Sequence, residues 1–322
     1  MKADRRPSGE RVRTLFLGSG AFAVTILEAL VTAPEVRLVG VVSAPDRPSG
    51  RRAELTPVPV ARRARELDLP LLQPASLRAP DAVAEIAALQ PDLGVLADYG
   101  QIVPPSVLAI AAHGILNVHP SALPRHRGAT PIPATIVAGD PMGAVTLIRM
   151  DEGLDTGPIV AQETWALDGT ETTETLEAEA ARRGANLLRR SLGAWLAGAL
   201  PAAPQAEAGA TLTRPLRRED GRLDPALTAA ELERRVRAHV PWPGSFVDTR
   251  LGRLIVREAE AVPGVPGDTQ GTLVADDAGL ALTTASGRLR LKRAQLAGRR
   301  ATDAASLRRG APGLVGQTVA LR

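Results

Sequence analysis

Residues 115–132 read ILNVHPSALPRHRGATPI, and this stretch indicates both the fold and the chemistry of the chain. It opens as an apolar strand that ends on Asn117 and His119. Because side chains alternate between the two faces of a strand, this amide and this imidazole point to the same side of the sheet. Residues 150–157, MDEGLDTG, form a loop that supplies Asp155. The sequence therefore predicts a strand end at which an amide, an imidazole and a carboxylate meet.

These three residue types together can catalyse the transfer of an acyl group to an amine. Asn117 can donate a hydrogen bond to the oxyanion that develops on the attacked carbonyl, an effect worth roughly 10²–10³ in rate. His119 can donate to the same oxygen or relay the proton that the amine loses, and Asp155 can orient the imidazole directly or through water. No covalent intermediate is required. Each residue alone is more typical of an ordinary strand end or turn than of a catalytic site, so the prediction depends on the combination.

The motifs resemble those of the formyltransferases that use 10-formyltetrahydrofolate, and among them those that act on methionyl-tRNA. The family pattern is Asn-x-His, then Ser-x-Leu-Pro-x-x-Arg-Gly, then Asp-x-Gly-x-Asp-Thr-Gly, and it is present here at residues 117–119, 121–128 and 151–157. Shorter similarities extend the resemblance over nearly the whole chain from residue 11, at residues 15–22, 45–51, 91–92, 99–100 and 241–243. In the family, the residues that match Asn117, His119 and Asp155 are catalytic.

The resemblance implies an enzyme of one-carbon metabolism and protein biosynthesis. It would transfer the formyl group of 10-formyltetrahydrofolate, a co-substrate, to the α-amine of methionine on initiator tRNA, a step of translation initiation. The folate would lie against the end of an apolar strand and against glycine turns that allow close approach. The candidate folate-binding residues are Leu96, Ala97, Ser121, Leu123, Pro124, Asp151, Gly153, Leu154 and Gly157.

The charge of the chain is unevenly distributed. Residues 1–213 hold 20 of the 39 basic and 23 of the 35 acidic residues, so their net charge is −3. Residues 214–322 have a net charge of +7, and the two parts sum to the +4 of the whole chain. A basic C-terminal third predicts contact with a polyanion such as tRNA. Candidate phosphate contacts in that third are Arg290, Lys292 and Arg293. The resemblance implies further tRNA contacts from a loop after the second strand, at Arg47, Arg51 and Arg52.

Hydrophobic periodicity predicts an α/β fold with a doubly wound, mostly parallel, Rossmann-like sheet, followed by a small β-barrel that the resemblance implies is OB-like. The expected domains are a flexible tail (1–11), a catalytic domain (12–197), a linker rich in Ala, Pro and Gly (198–213) and a C-terminal tRNA-binding domain (214–322). Predicted strands are 12–17, 36–43, a short one near residue 71, 93–97, 115–118, 144–150, 159–165, 245–249, 253–259, 271–274, 280–284 and 289–292. Predicted helices are 22–32, 57–67, 81–89, 104–111, 129–138, 173–197 and 228–239.

Composition excludes several classes of site. The absence of cysteine excludes disulfides and thiolate metal sites, and the four histidines never fall in a His-x-x-x-His pattern, so we expect no metal. Residues 1–13 are polar and lead into no apolar run, and no run approaches the length of a membrane span. We therefore expect a cytoplasmic protein without membrane contact, and the sequence implies no protein partner.

Three alternative functions remain at this point. One is another 10-formyltetrahydrofolate-dependent enzyme that acts on a sugar or nucleotide amine. Another is an NAD(P)-dependent oxidoreductase, because residues 18–23, GSGAFA, fit the Gly-x-Gly-x-x-Ala fingerprint and Asp46 follows. The last is an RNA-binding protein whose catalytic domain is inactive. The fingerprint alone is weak evidence, since it leaves Asn117, His119 and Asp155 unexplained.

Overall fold

The computed structural model of the protein describes residues 11–49 and 54–319. The expected tail lies outside the described residues except for Arg11, and Arg51 and Arg52 lie outside them as well. The described chain forms two compact units. The first consists of the residues up to Ala129, Gly143–Trp165 and Glu177–Thr213, and the second of Thr130–Met142, Ala166–Leu176 and the residues from Arg214 onward. The domain limits expected from the sequence stay a prediction.

The N-terminal two thirds of the chain alternate between strands and helices. The strands are β1 (Val12–Gly18), β2 (Val36–Val42), β3 (Arg47–Ser49), β4 (Glu54–Thr56), β5 (Leu71–Leu72), β6 (Leu93–Ala97), β7 (Ile115–His119), β8 (Arg127–Gly128), β9 (Met142–Arg149), β10 (Ile159–Ala166) and β11 (Leu212–Thr213). The helices are α1 (Ala21–Val31), α2 (Pro59–Glu66), α3 (Pro80–Ala88), α4 (Pro105–Leu108), α5 (Pro131–Ala138) and α6 (Thr173–Leu196).

Seven of these strands form one sheet, in the order β10-β9-β7-β6-β1-β2-β5. The pairs β1–β2, β1–β6, β2–β5 and β6–β7 are parallel, whereas β9 runs antiparallel to β7. On one face, Leu15 and Leu17 of β1 pack with Ile86 of α3 and Val107 of α4. On the other face α6 lies so close that a Cβ at Gly184 would be 2.8 Å from Val118. A sheet covered by helices on both faces confirms the predicted α/β fold.

The parallel register brings three strand ends together. Leu17 of β1 pairs with Leu96 of β6, and Leu96 pairs in turn with Asn117 of β7. The carboxyl ends of β1, β6 and β7 therefore lie side by side at one edge of the sheet, where ligands bind in open α/β folds.

The second unit contains an antiparallel sheet. From residue 214 onward the strands and α-helices of this unit are α7 (Ala229–Ala238), β12 (Ser245–Thr249), β13 (Gly252–Val262), β14 (Leu273–Asp276), β15 (Gly279–Thr283), β16 (Arg288–Leu296), β17 (Thr302–Asp303) and α8 (Ala304–Gly310). The strand order is β12-β13-β16-β15-β14, and β17 pairs with β16. Apolar side chains of α7, α8 and the strands form one core, which includes Leu232, Leu254, Leu291 and Leu307.

The chain end extends this sheet beyond β14. Leu273 N donates to the Gln317 carbonyl at 2.8 Å, and Val319 N donates to the Gly271 carbonyl at 2.8 Å. The Gln317 side chain accepts a hydrogen bond from Arg250 N at 2.7 Å, at the turn between β12 and β13. The sheet thus curves around its core, as the predicted small barrel requires.

Most predicted elements are present, with boundaries that differ by a few residues. Short elements were missed: the β3–β4 hairpin, the two-residue strands β8, β11 and β17, and helix α8. Strands β13 and β16 are longer than predicted, at 11 and 9 residues. The segment expected to be a linker contains β11, which pairs in parallel with β8.

Candidate active site

Asn117 and His119 lie at the carboxyl end of β7 and are both 5% exposed. Strand β7 is central: it pairs with β6 on one side and with β9 on the other, where Asn117 faces Ile148 and His119 faces Thr146. Because the alternate residues Leu116 and Val118 are core residues, the amide and imidazole are fixed on the opposite face of the strand. The sheet itself therefore positions two of the predicted catalytic side chains.

Asp155 joins this pair, as the sequence predicts. Its Oδ1 accepts a hydrogen bond from Asn117 Nδ2 at 2.9 Å, and its Oδ2 lies 3.6 Å from His119 Nδ1. Oδ2 also accepts from the backbone N–H of Gly128 at 2.8 Å. Asp155 has φ of 54°, a left-handed conformation that Asp adopts more readily than most residues. The carboxylate is thus held by two N–H donors beside the imidazole.

The other ring nitrogen of His119 fixes the tautomer of the imidazole. His119 Nε2 lies 2.9 Å from the carbonyl oxygen of His126, which can only accept, so Nε2 carries a hydrogen. In the neutral ring, Nδ1 is therefore the unprotonated nitrogen, and it faces Asp155. His126 has φ of 60°, and its N–H donates to Thr211 Oγ1 at 2.8 Å. This conformation turns the His126 carbonyl toward His119.

The loop of residues 150–157 is pre-formed by its own hydrogen bonds. Asp151 Oδ1 accepts from Gly153 N at 3.0 Å and from Thr156 Oγ1 at 2.7 Å. Gly157 returns the chain against β9, where a Cβ would lie 1.9 Å from the Arg149 carbonyl oxygen. A glycine is therefore required at residue 157 for close approach of two backbone segments.

Replacement Gly157→Ala tests this packing. We expect it to lower the free energy of unfolding by about 2–3 kcal/mol, because the loop backbone must move away from Arg149. It should also reduce activity, since Asp155 lies two residues away. Urea denaturation measures the first effect. The control is Gly193→Ala in α6, where the nearest atom to the new Cβ is Glu35 Oε1 at 4.0 Å. That change should stabilise by up to about 1 kcal/mol, and equal stability of the two variants would contradict the packing argument.

Two of the candidate folate-binding residues adjoin the catalytic group, Leu96 through the sheet and Leu154 through the chain. Leu96 and Ala97 end β6 and are buried, with Leu96 paired to Asn117 in the sheet. Leu154, next to Asp155, is 58% exposed and available to a ligand. Ser121 and Leu123 are both buried.

Thr146, which sequence reasoning missed, anchors the loop that carries Ser121, Leu123 and Pro124. Its hydroxyl donates to the Ser121 carbonyl at 2.6 Å and accepts from Gln162 Nε2 at 2.7 Å. Gln162 Nε2 also donates to the Leu123 carbonyl at 3.0 Å. Thr146 sits opposite His119 on β9, and only the strand register reveals this role.

An acidic side chain from the end of β6 lies over the glycine turn after β1, which the sequence did not reveal. A Cβ at Gly20 would lie 1.7 Å from Asp98 Oδ2, so the carboxylate covers this turn. Loss of hydration, with a smaller effect of the Glu177 charge, raises the pKa of Asp98 to about 6, so it is mostly ionised at neutral pH. A dinucleotide would place its pyrophosphate at this turn. The negative charge there disfavours the oxidoreductase alternative.

The candidate tRNA contacts on β16 all face acidic partners. Arg290 forms a hydrogen-bonded ion pair with Asp276 at 2.8 Å, and Asp276 is 6% exposed. Lys292 lies 3.3 Å from Glu260, and Arg293 lies 3.8 Å from Glu258. These last two cations are 54% and 58% exposed, so their pairs are weak and open to competition. Arg47 of β3, in the first unit, is exposed.

None of the helices in residues 11–49 and 54–319 is long and apolar enough to cross a membrane. In the same part of the chain, no group of three or more His, Asp and Glu side chains is placed to hold a metal ion.

Comparison with known protein families gives two matches. The family described as "Formyl transferase" matches residues 11–192, and the one described as "Formyl transferase, C-terminal domain" matches residues 215–312. A methionyl-tRNA formyltransferase of Roseiflexus sp. (strain RS-1) is 43% identical over 300 residues, which cover 93% of this chain and 92% of that protein. A methionyl-tRNA formyltransferase of Halorhodospira halophila is 44% identical over 301 residues, which cover 92% and 96% of the two chains.

Solved structures of similar fold share much less sequence. The N-formyltransferase of Helicobacter canadensis, solved with folinic acid and dTDP-3-aminofucose, aligns with a TM-score of 0.64 at 15% identity, over 87% of this chain and 99% of that one. HypX of Aquifex aeolicus in complex with tetrahydrofolic acid aligns with a TM-score of 0.59 at 18% identity, over 93% and 47%. At these identities the similarity concerns the fold alone.

Proposed function

Because this chain belongs to the methionyl-tRNA formyltransferase family, we propose that it transfers the formyl group of 10-formyltetrahydrofolate to the α-amine of methionine on initiator tRNA. The observation that carries this proposal is the arrangement of Asn117, His119 and Asp155 at the end of β7, with Asp155 2.9 Å from the amide and 3.6 Å from the imidazole. The reaction belongs to translation initiation, so we place the enzyme in the cytoplasm.

Asn117 stabilises the oxyanion in the proposed mechanism. One hydrogen of its Nδ2 is donated to Asp155, which fixes the plane of the amide. The second hydrogen is donated to the formyl oxygen as the amine nitrogen attacks the formyl carbon and negative charge develops on that oxygen. A donor held in place before the reaction stabilises this charge without reorganisation, which is the source of its effect on rate.

His119 and Asp155 manage the proton. The attacking amine must lose a proton, and the nitrogen that leaves the formyl carbon must gain one. Nδ1 of His119 accepts the proton from the amine and holds it against Asp155 Oδ2, and the proton is then returned to the leaving nitrogen. The gap of 3.6 Å between Nδ1 and Oδ2 exceeds a hydrogen bond, and we expect it to close when Nδ1 is protonated.

The folate supplies the formyl group, which is bonded to one of the folate nitrogens. When this bond breaks, the nitrogen gains a proton and leaves as a neutral amine. We propose that the residues that hold it are Leu96, Ala97, Ser121, Leu123, Pro124, Asp151, Gly153, Leu154 and Gly157. Their fit is supported by the sheet register, which places Leu96 beside Asn117, and by the pre-formed loop in which Gly157 packs on Arg149. We propose no metal in this reaction.

The tRNA is bound in this proposal by cations of both units. The cations near the second strand are Arg47, Arg51 and Arg52, and those of the second unit are Lys292, Arg293 and Arg290. Lys292 and Arg293 contribute most in the second unit, because their acidic partners are exposed and easily displaced. Arg290 contributes least, because its partner Asp276 is nearly buried and holds it with two hydrogen bonds.

An assay with different acceptors tests the proposed substrate. Purified protein receives 10-formyltetrahydrofolate with methionyl-initiator tRNA, uncharged tRNA, or sugar nucleotides and ribonucleotides that bear an amine. We expect formyl-methionine only with the charged initiator tRNA. Preferred formylation of a sugar or nucleotide amine would support the alternative formyltransferase instead. Absence of any formyl transfer by a folded protein would support the RNA-binding alternative.

A further inference from the structure

Gln205 joins two parts of the active site from within the segment expected to be a linker. Its Nε2 donates to the carbonyl oxygens of Asp155 and Gly157, both at 2.7 Å. Its Oε1 accepts from Arg127 Nε at 3.0 Å. One half-buried carboxamide thus uses both its hydrogens and its oxygen to connect the loop of Asp155 with strand β8.

Arg127, which Gln205 contacts, is itself held by several other contacts. The Arg127 side chain is only 6% exposed, and its guanidinium pairs with Glu207 at 3.3 Å. The Arg127 backbone N–H donates to the Thr211 carbonyl at 2.9 Å, and Thr213 Oγ1 donates to the Arg127 carbonyl at 3.0 Å. Gln205 therefore ties the loop of Asp155 to a strand that is anchored on several sides.

This connection determines where the Asp155 carboxylate lies. Asp155 Oδ2 accepts from the N–H of Gly128, the residue that follows Arg127. Gly128 has φ of 102°, and a Cβ there would lie 2.3 Å from the Thr213 carbonyl oxygen, so strand β11 confines it closely. The main chain of Asp155 is therefore connected to Arg127 through Gln205, and its carboxylate is bonded directly to Gly128.

From these contacts we propose that Gln205 is a positioning residue for formyl transfer, a role that rests on the proposed function. It does not touch the reacting atoms. It holds the backbone on both sides of residue 156 so that the Asp155 carboxylate faces Asn117 and His119 at once. Without it, water would compete for the two carbonyls, and the carboxylate would shift relative to the imidazole. Misplacement of a catalytic group by about 1 Å can cost roughly 10²-fold in rate.

Two substitutions separate the two halves of this contact. Gln205→Met keeps the length of the side chain and removes every hydrogen bond. Gln205→Glu keeps an oxygen for Arg127 and adds an ion pair, but an ionised carboxylate cannot donate to the carbonyls of Asp155 and Gly157. If the donated bonds position Asp155, both variants lose activity, whereas Gln205→Glu keeps the fold because it retains the partner of Arg127.

A glutamine of the second unit supplies the matched control. Gln295 has a similar pattern of contacts, with one donated bond instead of two: Nε2 donates to the Arg299 carbonyl at 2.9 Å, and Oε1 accepts from Arg257 at 2.9 Å. Gln295→Met therefore removes hydrogen bonds of the same two kinds, one donated and one accepted, from the unit that does not contain the catalytic residues.

Steady-state kinetics of the full-length variants test the proposal. We expect Gln205→Met and Gln205→Glu to lower kcat by about 10-fold or more, while KM for each substrate changes by less than about 3-fold. Gln295→Met should keep kcat within about 2-fold. A purely structural role of Gln205 would lower thermal stability with kcat per folded molecule unchanged, and that result would overturn the proposal. Wild-type kcat in Gln205→Glu would also overturn it.

Hydrogen exchange separates failure of this proposal from failure of the proposed function. In Gln205→Met, amides in residues 151–157 should exchange faster than in the wild type, whereas Gln295→Met leaves them unchanged. This readout needs no substrate, so it holds even if methionyl-tRNA is not the acceptor. Unchanged exchange in this loop would show that Gln205 does not hold it, whatever the activity.

Discussion

Replacement of His119 by alanine is expected to lower kcat for formyl transfer by roughly 10²–10⁴-fold, the range typical of a lost general acid–base group. Alanine leaves the amine proton without an acceptor, and it also frees the His126 carbonyl that now receives the His119 Nε2 hydrogen at 2.9 Å. Binding of folate and of tRNA should change little, because the group acts mainly on the transition state. The measurement is steady-state kinetics combined with the equilibrium affinity for each substrate.

Matched variants support the interpretation of this result. His113 is a histidine of the same unit that lies outside the catalytic group, and His113→Ala should keep kcat within about 3-fold. Asp155→Asn is preferable to Asp155→Ala, because an asparagine tolerates the left-handed backbone at residue 155, where alanine would cost about 1–2 kcal/mol. Near wild-type turnover of His119→Ala would remove this residue from the mechanism.

The double variant with Lys292→Ala and Arg293→Ala is expected to weaken tRNA binding by tens of fold at about 0.1 M salt and to flatten the slope of log K against log salt by roughly 1.8. The reason is release of counterions from the two phosphates that these side chains neutralise. The folate affinity should not change, since both residues lie on β16 in the second unit. Binding of tRNA across a salt series measures the effect.

Variants of the acidic partners should have the opposite effect on tRNA affinity. Glu258→Gln and Glu260→Gln free Arg293 and Lys292 from their pairs, so each should raise tRNA affinity. Arg290→Ala should instead reduce the stability of the second unit, because it leaves Asp276 with little exposure and without its cation. If the double variant and the wild type have the same affinity and the same salt slope, the positive charge of β16 has no role in binding nucleic acid.

Sequence could predict the central part of this site because the relevant signals are local. The two-residue period of a strand places Asn117 and His119 on one face, and the alternation of apolar segments predicts the parallel sheet that carries them. The sequence around Asp155 matches the loop of a known family, and the structure places this residue beside the other two, 2.9 Å from the Asn117 amide.

The parts that sequence could not predict depend on contacts between distant residues. Gln205 bonds to Arg127 and to Asp155, which lie 78 and 50 positions away, and no local pattern marks it. Strands β8 and β11 have two residues each, too short for any periodic signal. The position of Asp98 over Gly20 follows from the pairing of β1 with β6, which the sequence does not specify.

In the second unit, net charge alone does not show which cations are available to tRNA. The net charge of +7 in residues 214–322 predicted a basic surface, but a sum does not show which cations are already paired. The structure distinguishes Arg290, held by a nearly buried carboxylate, from Lys292 and Arg293, which have exposed partners. These pairings, rather than composition, single out Lys292 and Arg293 as the proposed tRNA contacts of the second unit.

The most direct test of the central claim is the single-turnover rate of formyl transfer to methionyl-initiator tRNA by the wild type, His119→Ala, Asp155→Asn and the double variant. If the side chains act as one unit on one transition state, each single variant should be slower by roughly 10²-fold or more, and the double variant should be about as slow as the slower single one. A double variant that loses the product of the two effects would contradict a shared site, and a wild type that forms no formyl-methionyl-tRNA would contradict the proposed function itself.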